Sequence, residues 1–345
     1  MIKATWHKHT LKFDRPRGTS RGWFKEKPSW FIKLRDEKTG KVGFGECGLL
    51  PGLSVDDKPG YEEMLDKVVG AINRQMPFPV LTSWPSISFG IEMAQLHLEK
   101  GEFSELFPSA FSAGKAGIEI NGLIWMGDSK TMKREIAEKL QSGFTCIKLK
   151  IGAVDFDEEL ALLKMIREEF SPDEVVIRVD ANGAFSPDEA PQKLNQLSVF
   201  ELHSIEQPIK AGQWQEMAAL CADTPIDIAL DEELIGIHDT TERKKMMATV
   251  RPQAIILKPS LLGGFRDSNE WISIAREMGA YWWLTSALES NIGLNAISQF
   301  AAHKDVQIPQ GLGTGGLYTN NVDSPLEVEA NKIVYRSDKN WVIPF

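Results

Sequence analysis

Two hydrophobic rhythms divide the chain. Up to about residue 50, short runs alternate apolar and polar positions: loosely over Thr5–Phe13, then over Trp30–Leu34 and Val42–Glu46, with a turn at Thr39-Gly40. Alternation of period two predicts half-buried strands. Between the first two runs, Asp14–Lys27 is basic and rich in turn formers, and reads as a loop. Residues 58–76 and 86–100 read as helices; in the second, Ile87, Ile91, Ala94 and Leu98 recur at helical spacing. Residues 1–115 are thus expected to form an α+β module.

From residue 116 short β-rich runs alternate with longer helical patterns. The runs are Ile120–Trp125, Cys146–Lys150, Val175–Asp180, His203–Gln207, Ile226–Asp231, Ala254–Lys258, Tyr281–Ser286 and Ile308–Gly311. Phe156, Leu160, Leu163, Ile166 and Phe170 mark one face of an intervening helix. Eight units of even length favour a closed (β/α) barrel over residues 116–316, with an open doubly wound sheet as the alternative. Residues 317–345 are left as a C-terminal segment expected to pack back on the α+β module.

Composition narrows the function. The chain has 345 residues, with 39 Lys+Arg against 48 Asp+Glu, a net charge of −9. Such a balance argues against a general nucleic-acid or anionic-membrane binder, but allows a small anionic substrate at a local site. No apolar run reaches the ~18 residues needed to span a bilayer. Cys47, Cys146 and Cys221 are widely spaced and read as free thiols, and the expected location is the cytoplasm.

The chemistry sits where the predicted strands end. Strand two closes on Lys148-Leu-Lys150, strand three on Arg178-Val-Asp180, strand four on Glu206-Gln-Pro208, strand five on Asp231-Glu232 and strand six on Lys258-Pro-Ser260. From Lys150 to Lys258 the steps are 30, 26, 25 and 27 residues, each about one βα unit. Five charges therefore reach the C-terminal rim, where barrel enzymes keep their sites. Any one of them alone is as well explained by an ion pair or a helix cap; five in register are not. Alternation puts Lys148 beside Lys150 on one face, and Arg178 beside Asp180. Asp180, Glu206 and Asp231 on adjacent strands offer only oxygen ligands, which suits Mg²⁺, with Mn²⁺ as the alternative. Strands two and six lie on opposite walls of an eight-stranded barrel, so Lys150 and Lys258 face each other across that cation. This arrangement fits removal of a proton α to a carboxylate, with the metal stabilising the enediolate. A lysine near cations is expected to have a lowered pKa and so to serve as a base.

These motifs, with Asp180-Ala-Asn182, resemble the enolase superfamily in its muconate-lactonizing-enzyme subgroup, over nearly the whole chain. The resemblance implies a modified (β/α)7β TIM-type barrel with an N-terminal α+β capping domain whose loops close over the barrel mouth. Within the subgroup, Phe44–Ser54, Thr285–Leu294 and Ile308–Thr314 are most similar to the o-succinylbenzoate synthases, hydro-lyases of menaquinone biosynthesis that use Mg²⁺. It implies Lys150 as the base, Lys258 as the stabiliser of the enediolate and Lys148 as a contact to the substrate carboxylate. Further candidate contacts are Arg178, Asn182, Ser286, Gly311, Gly313 and Thr314. An Arg of the basic loop is a candidate for a substrate carboxylate, with Trp23 or Phe24 covering the ring.

Other readings share the scaffold. An N-acyl amino acid racemase or a dipeptide epimerase would use the same lysines; dipeptide epimerases typically carry an Asp-x-Asp after strand eight, where this chain has Gln310–Thr314 without an acid. A muconate cycloisomerase is a third, and a catalytically silent metal-binding barrel is the reading of another class. Gly311-Leu-Gly-Thr-Gly-Gly316 satisfies a dinucleotide pattern, but it follows the last strand and opens no helix, so it reads as an amide cradle instead. The six histidines lack metal-ligand spacing.

Overall fold

The computed structural model describes residues 1–19, 22–152 and 155–344. Strands β1 (Ile2–Thr19), β2 (Gly22–Asp36) and β3 (Val42–Cys47) form an antiparallel sheet in that order. Helices α1 (Tyr61–Asn73) and α2 (Pro85–Lys100) cover it. Leu65 and Val68 of α1, and Ile87, Ile91 and Ala94 of α2, pack on Ile32 and Leu34 of the sheet in a core of their own.

After β4 (Ile118–Glu119), which belongs to a small sheet outside the barrel, the barrel begins with β5 (Gly122–Ile124). Alternating units follow: α3 (Ser129–Gln141), β6 (Cys146–Lys150), α4 (Phe156–Glu169), β7 (Val176–Asp180), α5 (Ala190–Ser198) and β8 (Ser204–Glu206). Then come α6 (Trp214–Ala222), β9 (Ile228–Leu230), α7 (Thr240–Val250), β10 (Ala254–Leu257), α8 (Pro259–Leu262), α9 (Phe265–Met278), β11 (Tyr281–Leu284) and α10 (Asn291–His303). Strands β5 to β11 form one parallel sheet in chain order. Strands β12 (Leu326–Glu329) and β13 (Lys332–Tyr335) form a hairpin whose second strand pairs with β4. Upstream of it, Tyr318 bridges Phe13 of β1 and the Thr319 amide donates to the Lys12 carbonyl.

Two expectations change. The run Ile308–Gly311 forms no strand. Residues 310 and 311 join the sheet edges by single parallel bridges, Ile120 to Gln310 and Thr285 to Gly311. Gly311 is required there: a Cβ would lie 2.5 Å from Thr285 Oγ1. The barrel is thus a seven-stranded parallel sheet closed by a short eighth segment. The second change is the basic loop. Residues 14–19 and 22–27 are strand, and the β1–β2 ladder continues to Thr19 opposite Gly22. A register shift between Lys12 and Arg17 brackets Pro16, which cannot donate to a ladder, so a bulge carries the turn formers inside a long hairpin. Ser20 and Arg21 of that predicted loop lie outside the described residues. Among the described residues no helix is long and apolar enough to cross a membrane, and the three cysteines are free and buried.

Candidate active site

Parallel register sets the site. Lys150 pairs with Asp180 across β6 and β7, and Asp180 with Glu206 across β7 and β8, so the charges end level. Asp231 follows β9 and Lys258 follows β10. Gln207 locks two of these ends together. Its Nε2 donates to the Ile209 carbonyl at 3.0 Å and to Glu233 Oε2 at 3.1 Å; its Oε1 accepts from the Asp231 and Glu233 amides, both at 3.2 Å.

The lysines and carboxylates form one buried network. Lys150 Nζ donates to Asp180 Oδ2 at 2.8 Å and to Asn182 Oδ1 at 2.7 Å. Lys148 lies 3.1 Å from Asp180 Oδ2 and bonds Glu206 Oε2. Lys258 bonds Asp231 and stands 3.9 Å from Glu206 Oε1. Asn182, at a positive φ of 45°, passes the chain to Glu232 through its Nδ2 at 3.0 Å.

The electrostatics follow from this pairing. Burial pushes Asp180 up, but Lys148, Lys150 and Lys258 outweigh it and hold the carboxyl well below the usual range. Glu206 is pushed up to about 8 by burial and by the neighbouring Asp180. Lys258, one of the lysine pair flanking the cation, was expected to be lowered. Burial does lower both Lys258 and Lys148, but the facing carboxylates dominate and hold both above the usual lysine value. As arranged here, these two lysines are firmly ammonium.

The donor set fits a hard divalent cation. Asp180, Glu206 and Asp231 offer only oxygens, all buried, and Glu206 Oε1 is buried without a hydrogen bond. Among the described residues no three His, Cys, Asp or Glu side chains are grouped as a metal cage. The carboxylates of Asp180, Glu206 and Asp231 are instead paired with Lys148, Lys150 and Lys258.

A cavity of about 440 Å³ opens above this network. Lys148, Lys150, Asp180 and Lys258 line its floor, with Asn182 beside them. Ser286, Gly311, Gly313 and Thr314 line one wall, where Ser286 and Thr314 share a hydrogen bond of 2.7 Å. Arg178 does not join them. It is buried below the floor, 4.3 Å from the Trp283 ring, and donates to the Pro309 carbonyl at 2.7 Å. Side chains two apart on one strand share a face but sit at different depths, and Arg178 fills the barrel interior.

The outer wall comes from the N-terminal module. Arg15, Arg17 and Phe24 of the hairpin reach the cavity, and so do Leu50, Pro51 and Leu53 after β3. Arg15 pairs with Glu135 of α3 at 2.8 Å; Arg17 is buried, bonded to Asp14 at 2.6 Å and set against Trp125. Trp23 is 67% exposed and does not line the cavity, whereas Phe24 does. The sequence reading missed Asn121, whose Oδ1 is buried in the cavity wall without a partner. A lone polar residue at the second position of the otherwise apolar run Ile120–Trp125 was the available signal.

The family profile described as Enolase C-terminal domain-like matches residues 131–335. An o-succinylbenzoate synthase of Desulfotalea psychrophila is 48% identical over 95% of this chain and 97% of its own. The crystal structure of MenC from Desulfotalea psychrophila superposes with a TM-score of 0.86 at 44% identity, covering 96% of this chain and 99% of that one. A dipeptide epimerase of Enterococcus faecalis, solved with Mg and the dipeptide L-Leu-L-Tyr, shares the fold at a TM-score of 0.82 and 19% identity, covering 97% of this chain and 96% of that one. A profile spanning more than half the chain and a relative of this identity agree with the lysine and carboxylate register, and the chain belongs to the o-succinylbenzoate synthase family of the enolase superfamily.

Proposed function

We propose that this protein dehydrates 2-succinyl-6-hydroxy-2,4-cyclohexadiene-1-carboxylate to 2-succinylbenzoate. The observation that carries the reading is one cavity floored by Lys150 and Lys258 from strands four apart in the ring, hence from opposite walls. Lys150 takes the proton from the carbon bearing the carboxylate. The electron pair enters that carboxylate as an enediolate, and Lys258 supports its charge from the far side. Collapse of the enediolate expels the neighbouring hydroxyl, which Lys150 protonates, so water leaves and the ring becomes aromatic. Lys148, bridging Asp180 and Glu206, keeps the floor cationic beneath the substrate carboxylate. Asp180, Glu206 and Asp231 would hold Mg²⁺, which supplies positive charge to the developing enediolate when bound.

Substrate class follows from the walls. Residues 311–316 carry no acidic side chain, and Arg15 and Arg17 reach the cavity, each paired with a carboxylate, Glu135 or Asp14. That suits an anionic succinyl arm and disfavours the α-ammonium of a dipeptide. An N-succinyl amino acid shares the arm and the α-proton, so slow racemisation of such compounds is compatible. Steady-state kinetics with Mg²⁺ on the cyclohexadiene, N-succinyl amino acids, dipeptides and muconate test the reading. The cyclohexadiene is expected to give the highest kcat/KM, and a higher value for any other substrate overturns the assignment.

A further inference from the structure

Behind the wall that carries Lys258 lies a second charged network, fully buried and separate from the cavity. It joins the N-terminal module to the barrel. Glu46, on β3, receives the Ser290 amide at 2.8 Å, the Ser290 hydroxyl at 2.5 Å and the Gly293 amide at 2.9 Å. Its carboxylate thus caps the first turn of α10, where an anion is favoured. Gly293 is needed for this approach, since a Cβ would lie 2.9 Å from Glu46 Oε2. Glu289 accepts the Ala287 amide at 2.7 Å and the hydroxyl of Ser260, two residues after Lys258. Both carboxylates are 0% exposed. The cation facing them is Lys27 of β2, also 0% exposed, which bonds Ser29 Oγ at 3.1 Å; that hydroxyl donates to Glu46 Oε1 at 2.8 Å.

Charges this deep are costly unless they are compensated, and removing one member strands the others. The two carboxylates hold parts of the barrel that matter to the reaction. Glu289 ties the Lys258–Ser260 turn to the Ala287 amide, and residues 286–288 line the cavity. We propose that Lys27 is a positioning residue: by balancing Glu46 and Glu289 from within the N-terminal module, it fixes the Lys258 turn and the 286–288 wall. Docking of the two units and alignment of the lysine pair are then one event. The inference rests on the function proposed above.

Three variants test it: Lys27→Met, Glu289→Gln and the double variant Lys27→Met/Glu289→Gln. Lys27→Met is expected to lower kcat about 10- to 100-fold, as loss of an outer supporting group does, with much less change in KM. Glu289→Gln should do the same more mildly, and the double variant, relieved of one stranded charge, should recover kcat relative to Lys27→Met. Backbone amide exchange should rise in residues 258–264 and 285–290 of Lys27→Met and stay unchanged in β6 to β8. Unchanged kcat in both single variants, no recovery in the double, or unchanged exchange at 258–264 and 285–290 overturns the proposal. Wild-type turnover of the cyclohexadiene is measured alongside: its failure defeats the function proposed above, and the exchange pattern still decides the role of Lys27. If Lys27→Met does not fold, Glu289→Gln carries the same readouts.

Discussion

At the scale of single residues, the lysine pair divides the work by position. Lys150 approaches from β6 and touches Asn182; Lys258 approaches from the opposite wall among Asp231, Glu206 and Glu232. Lys150→Ala is expected to lower turnover by about 10²- to 10⁴-fold, the range of a general base, and to stop α-proton exchange with solvent. Lys258→Ala should impair turnover comparably, since it removes a cation from the charge that develops. Each deletion takes a lysine partner from a buried carboxylate, Asp180 or Asp231, so circular dichroism melts should show both variants folded but less stable than wild type. Single substitutions Asp180→Asn, Glu206→Gln and Asp231→Asn each remove an anionic oxygen ligand. Each is expected to weaken Mg²⁺ binding in titration calorimetry of chelator-treated protein and to abolish activity. These residues were legible in sequence because the βα repeat brings each strand end to one level. Arg178 was misplaced by the same rule, since alternation gives the face and not the depth.

At the scale of elements, the strand ends are held by polar clamps that no periodicity announces. Gln207 satisfies two amides of the turn after β9 and reaches Ile209 and Glu233, all in a buried setting. Gln207→Leu leaves those amides without partners, at about 1–3 kcal/mol for each stranded group. Denaturant unfolding is expected to show that loss, and Mg²⁺ affinity should fall with it because Asp231 loses its anchor. The closing segment is equally exacting. Gly311→Ala drives a methyl into Thr285, which overpacking puts at about 1–3 kcal/mol, and it shifts the Ser286–Thr314 wall. A raised KM with a smaller change in kcat is the expected kinetic signature. The β1–β2 hairpin shows why turn formers misled the reading: a bulge absorbs Pro16 without ending the ladder.

At the scale of the whole molecule, acid stability depends on histidines in both units. Burial lowers His97, which accepts the Phe44 amide, and His203, near Arg178, each to about 4. Both are neutral when folded below their ordinary value near 6.5, so unfolding takes up protons. Their contribution is complete above about pH 6.5 and is lost as pH falls through about 4, at about 1.4 kcal/mol per unit for each histidine. Asp56, raised to about 6 mainly by burial, acts in the opposite direction as pH rises from its ordinary value toward 6. The histidine term is isolated by comparing wild type with His97→Gln, which keeps an acceptor for Phe44. Thermal melts from pH 4 to 6.5 should show a shallower dependence in the variant.

The sequence by itself determined the barrel, its repeat and the charges at its rim. Strand alternation and even unit length are local properties, and register turns them into common depth. It also determined the chemistry on offer, since residue types at those ends admit few tasks. The tertiary structure decided what depends on groups far apart in sequence. It chose which lysine faces which carboxylate, and reversed the expected lowering of Lys258, because pKa answers to neighbours in space. It brought Arg15, Arg17 and Phe24 from a hairpin over a cavity whose floor lies more than a hundred residues away. And it buried Lys27 in one network with Glu46 and Glu289, carboxylates from separate units, a grouping invisible along the chain because burial and charge balance exist only once those units pack together.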